Sequence, residues 1–94
     1  MQEDQFDEVH DFSPKTSQLL LSTDSHESNM DGVQVWTSFW VLDKDLKAIR
    51  VWHGYRSLLD GANSPASFDI DGNIILKLRH AFQIYSRFPH KLTF

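Results

Sequence analysis

Val33-Gln34-Val35-Trp36-Thr37-Ser38-Phe39-Trp40-Val41-Leu42, then Asp43-Lys44-Asp45, then Leu46-Lys47-Ala48-Ile49-Arg50-Val51-Trp52 is the stretch whose reading decides the fold. The first run is β-branched and aromatic, which suits a pleated, half-buried strand. The second resumes the same style after three polar residues. Two such runs with a short polar joint predict a β-hairpin. Alternation puts Val33, Val35, Thr37, Phe39 and Val41 on one face of the first strand. Gln34, Trp36, Ser38, Trp40 and Leu42 take the other. Both faces are largely apolar, so this strand is expected to be central and covered on both sides.

Outward from the hairpin, Gln18 to Thr23 reads as a short strand, and the polar residues from Thr23 to Gly32 read as a loop. Tyr55 to Leu59 could make one helical turn inside a connection running from Gly54 to Pro65. Asp71-Gly72 ahead of an apolar run is a hairpin signal. Residues 74–88 fit two templates, a long strand and an amphipathic helix, and both leave Arg79 and Arg87 pointing outward. Asp43 and Asp71, each followed by a strand, resemble each other loosely at an offset of 28.

Ninety-four residues, 40% hydrophobic and 13% aromatic, suffice for one domain with a modest core. The apolar runs are too short to span a bilayer, no membrane partner is expected, and no basic and apolar leader opens the chain, so a cytoplasmic location is expected. There is no cysteine, which removes disulfides, thiolate metal sites and cysteine nucleophiles. The net charge of −4 is uneven: residues 1–31 hold eight acids against Lys15, and residues 32–94 hold five acids against eight bases. Residues 1–16 therefore read as an acidic, disordered arm ahead of a β-rich domain over 17–94. Phe6, Val9 and Phe12 are three apart in that arm, a spacing that suits a motif folding onto a groove in a partner or in the domain itself.

Catalytic signatures are thin. Phe68-Asp69-Ile70-Asp71-Gly72 resembles the Asp-x-Asp-Gly loop of aspartate-nucleophile phosphohydrolases of the haloacid dehalogenase type. The resemblance would make Asp69 a nucleophile and Asp71 an acid/base. The 22 residues after Gly72 leave no room for that family's other motifs, so both are read as turn residues. The spacing of the five histidines matches no metal motif, no serine sits in a nucleophile elbow, and the four glycines form no phosphate loop. No enzyme, no metal and no cofactor are expected.

What remains is arginine interleaved with aromatics. Arg50, Trp52, Tyr55 and Arg56 make one set, and Lys77, Arg79, Tyr85 and Arg87 another. Trp, Tyr and Arg dominate protein interface hot spots. They also stack on unpaired bases, but the body's slight positive charge is small for nucleic acid. Trp36, Trp40, Phe6, Val9 and Phe12 are secondary contact candidates. The expected fold is mainly β, all-β or α+β: a small antiparallel sheet of four to five strands closing as a barrel or sandwich, with at most one or two short helices. The expected function is a non-catalytic regulator, inhibitor or subunit that engages another protein, self-association included. Single-stranded nucleic-acid binding on an aromatic and basic sheet face is the alternative, and a small barrel holding an apolar ligand is the third reading.

Overall fold

The computed structural model describes residues 6–61 and 64–85. Among these the chain is mainly β, in two antiparallel sheets. Strands β1 (Glu8–Ser13), β2 (Gln18–Asn29), β3 (Gly32–Leu42) and β4 (Ala48–Tyr55) form the first sheet in that order. Strands β5 (Ala66–Phe68), β6 (Ile74–Lys77) and β7 (Phe82–Tyr85) form the second. A single 3-10 turn, Arg56–Leu58, falls where one helical turn was expected. No helix among the described residues is long and apolar enough to cross a membrane.

The β3–β4 hairpin forms as its composition predicts, with Leu42 paired to Ala48. Seven strands stand among the described residues where four to five were expected, and the structure departs from the expectation at three places. The polar residues from Thr23 to Asn29 continue β2 instead of forming a loop, because they lie opposite β3 in unbroken register and turn back at Met30-Asp31. Residues 8–13, expected within the disordered arm, pair with β2 as an edge strand. Residues 74–85 are neither one long strand nor a helix. They fold back at Leu78, whose N–H donates to the Ala81 carbonyl at 2.8 Å, without any Gly, Pro or Asn to announce the turn.

Two hairpin loops share one geometry. In each, an aspartate side chain takes the N–H groups of the second and fourth residues after it: Asp45 and Lys47 on Asp43, Asp71 and Asn73 on Asp69. Each loop ends on a residue with positive φ, Leu46 at 64° and Gly72 at 86°. The matching offset is therefore 26, Asp43 to Asp69, and the key aspartate is Asp69 rather than Asp71. Desolvation is the largest single influence on the Asp69 carboxyl and raises it, but the bonds from Asn73 and the amides of Asp71 and Gly72 together outweigh it and hold the group below its ordinary value. Gly72 is also required sterically, since a Cβ there would meet Thr16 Cγ2 at 2.6 Å.

One core draws on both sheets. Leu20, Phe39 and Val41 from the first meet Ala66, Ile74, Leu76 and Tyr85 from the second, with Leu59 between, all under 9% exposed. Val51, Trp52, Phe68 and Leu78 pack around them. Burying such side chains contributes roughly 1.5–3 kcal/mol each. Replacing Asp69 by Ala removes an acceptor of three loop hydrogen bonds and should destabilise the fold by about 1–2 kcal/mol. Asp71→Asn should stay within about 0.5 kcal/mol of the parent. Urea unfolding of both variants checks the order; equal midpoints would contradict this account of the loop.

Candidate functional site

The inner face of the first sheet looks toward the second sheet, and register decides which side chains share the outer face. Leu19↔Leu42, Leu21↔Trp40, Thr23↔Ser38 and Ser25↔Trp36 are outward pairs of β2 and β3. Two β-bulges then set the flanking strands. In β1 the ladder steps from Val9↔Leu21 to Asp11↔Leu20, leaving His10 as the extra residue. Val9 and Phe12 therefore both face outward although they are three apart. In β4 it steps from Trp52↔Phe39 to Arg50↔Trp40, leaving Val51 as the extra residue. Arg50 and Trp52, two apart, are thereby sent to opposite faces.

The outer face that results is aromatic at its centre. Trp36 stacks on His53 (5.2 Å between centroids, 8° between planes) and lies 4.0 Å from Tyr55. The His53 Nδ1 shares a 2.7 Å hydrogen bond with Ser38 Oγ, which fixes the ring. Trp40 donates Nε1–H to Thr23 Oγ1 at 2.9 Å, and Phe6 meets it edge-on at 6.3 Å. The Arg50 guanidinium lies 5.7 Å over the Trp40 ring, a cation–π contact of about 0.5–1 kcal/mol at an exposed site. Val9 and Phe12 border this patch at 61% and 52% exposure. All five secondary candidates, Trp36, Trp40, Phe6, Val9 and Phe12, thus converge on one face.

The two sets proposed as primary partner contacts do not hold together. Arg50 and Tyr55 lie on the outer face. Trp52 points inward, 5.9 Å from Phe39, its indole lying across Gly54, where a Cβ would be 2.8 Å from the ring. Tyr85 is a core residue, and its hydroxyl donates to Gln83 Oε1 at 2.7 Å. Lys77 is half-buried in β6. Arg56 pairs with Asp24, and Arg79 donates Nε–H to the Ser57 carbonyl at 2.6 Å. Arg87 lies outside the described residues. The sequence carried no sign of either bulge, so spacing alone could not separate Arg50 from Trp52.

Behind the outer face, a cleft of about 690 Å³ opens on the inner side of the sheet, where the β2–β3 hairpin extends past the core. His10, the bulged residue of β1, sits in its wall. Its side chain is 5% exposed, its Nε2 bonds Ser22 Oγ at 2.8 Å, and its ring meets Phe39 edge-on at 5.1 Å. Glu8 approaches the same Nε2 at 4.0 Å, and Ser64 Oγ lies 3.5 Å from the other ring nitrogen, Nδ1. Among the described residues, no three His, Asp or Glu side chains converge as metal ligands.

Comparison with family models, with curated proteins and with solved structures gave no match.

Burial lowers the His10 pKa below its ordinary 6.5, against the pull of Glu8 and Asp24 and with the help of Arg56. The fold therefore holds His10 neutral, while the unfolded chain takes up a proton near 6.5. Its contribution is present above that pH and is lost as the pH falls through it. The urea midpoint of the parent should drop between pH 7.5 and 5.5 by more than that of His10→Asn. Parallel profiles would remove His10 as the cause.

Proposed function

We propose that this chain is a non-catalytic binding module whose outer sheet face docks another protein. The observation that carries the reading is that β3 is apolar on both faces. Phe39 and Val41 are spent on the core, whereas Trp36, Trp40 and Leu42 stand outward beside Val9, Phe12 and Leu19. An antiparallel sheet with one solvated face ordinarily puts polar residues there. Val9 and Phe12 are exposed and the other four half-buried, and a contiguous apolar surface that water still reaches marks an interaction site.

The partner's chemistry follows from charge. Arg50 is held over Trp40, and no acid among the described residues forms an ion pair with it. The surface that fits is therefore apolar, with a carboxylate to meet Arg50. Nucleic acid is the weaker fit, because the chain carries a net charge of −4. In this reading the two sheets face each other as a small sandwich in a cytoplasmic protein, the first presenting its free side to the partner.

Peptides selected by phage display against the intact chain test the assignment. Winners should combine aliphatic or aromatic residues with an acid and should perturb the amides of Val9, Phe12, Trp40 and Arg50. The double variant Phe12→Asp with Arg50→Glu should weaken them thirtyfold or more, about 2 kcal/mol, while the fold loses about 1 kcal/mol with the cation–π contact and stays folded at 25 °C. Peptides that map elsewhere, or bind the double variant equally well, overturn the reading. So does light scattering that shows a dimer closed by this face, or mass that nuclease removes.

A further inference from the structure

The cleft on the inner side of the same sheet is independent of the docking face, and it has the size and lining of a small-molecule site. At about 690 Å³ it lies within the usual range for such pockets. Its floor is apolar: Phe39 (1% exposed), Leu59 (6%), Val35 and Pro65. Polar groups converge around that floor from separate elements. Ser22, Asp24 and Thr37 come from β2 and β3, His10 from β1, Ser64 from the connection, and Arg56 and Arg79 from the far wall.

Most of these polar groups are already satisfied, and this decides the ligand's chemistry. Asp24 accepts from Thr37 Oγ1 at 2.7 Å on one oxygen and from Arg56 on the other, so its charge is neutralised. His10 is held to Ser22 and Ser64. Two further carboxylates border the cleft: Glu8 stands at the rim with its side chain 63% exposed, where water screens it, and Asp60 is half-buried and has a partner of its own. Arg79 differs. Its Nε is anchored on the Ser57 carbonyl, which fixes the plane of the guanidinium, and its two terminal nitrogens bond no described residue. A guanidinium fixed at one corner with two parallel donors open matches a carboxylate or phosphate bidentately.

We infer that the cleft binds a small organic anion, its carboxylate or phosphate on Arg79 and its apolar body against Phe39, Val35 and Leu59. Both parts are needed, since neither a bare ion nor a neutral hydrocarbon uses the whole lining.

Benzoate, phenyl phosphate, inorganic phosphate and benzyl alcohol, titrated into the intact 94-residue chain and followed by amide chemical shifts, separate the contributions. For fragments this small a dissociation constant of about 1 mM is expected for the first two. The shifts should centre on Thr37, Ser57, Ser64 and Arg79. Stronger binding of phenyl phosphate, or of benzoate, assigns the anionic group. Inorganic phosphate and benzyl alcohol should each bind at least tenfold more weakly. Arg79→Gln should weaken the better anion about tenfold, and Arg79→Lys should recover only part of this because it keeps the charge and loses the fork. Arg79 is exposed, so both variants should unfold at the parent midpoint. Equal binding of benzyl alcohol, unchanged affinity in Arg79→Gln, or shifts outside the cleft would each overturn the inference.

Discussion

The ladder between β2 and β3 runs without a break from Leu19↔Leu42 to Asn29↔Gly32, and its register is the constraint on which the other features depend. Because the side-chain period is two, this one alignment assigns every residue of both strands to a face. It sends Leu20, Phe39 and Val41 into the shared core and Trp36, Trp40 and Leu21 outward. It also lines the cleft, since Ser22, Asp24 and Thr37 sit at the inward positions where the hairpin outruns the core. A slip of one residue would expose Phe39, whose burial under His10 and Trp52 ties β1 and β4 to the centre of the sheet.

The strong local signals were legible in the sequence. The β-branched and aromatic run over 33–42, the polar joint at 43–45 and the turn ahead of Ile74 all describe elements that local propensity specifies. The aromatic outer face was legible in part, because Trp36 and Trp40 share parity within one strand. The extension of β2 through Thr23–Asn29 was not, since Asp24, Ser25, His26 and Glu27 carry no apolar alternation and are held by pairing alone. Nor was the grouping of Arg50 with Trp52 open to correction, because a bulge is a property of two strands and leaves no mark on one.

Three buried hydroxyls, Ser22, Thr37 and Ser38, are each matched to a side chain of a neighbouring strand. Ser22 meets His10, Thr37 meets Asp24, and Ser38 meets His53. Leaving any of these groups unpaired in the interior would cost about 1–3 kcal/mol. The pairs join β1 to β2, β2 to β3 and β3 to β4 in turn. The sheet is thus stitched side chain to side chain as well as through its backbone. Aromatic stacking outside and a satisfied polar layer inside are compatible because they use alternate residues of the same strands.

The two bulged positions share a property with a bearing on how this chain could vary. Remove His10 on paper and Val9, Asp11 and Phe12 run on against Leu21, Leu20 and Leu19 with no partner changed. Remove Val51 and Trp52 and Arg50 close up against Phe39 and Trp40 in the same way. Each is a spliced-in residue on an otherwise regular lattice, so the sheet has two points where its length can change by one without any strand turning over. At the first, what the additional residue brings is an imidazole for the wall of the cleft. At the second it is an aliphatic packed against the core. Shortening the chain at position 10 would therefore delete a chemical group while conserving the geometry around it, an outcome that point substitution at the same place cannot reproduce.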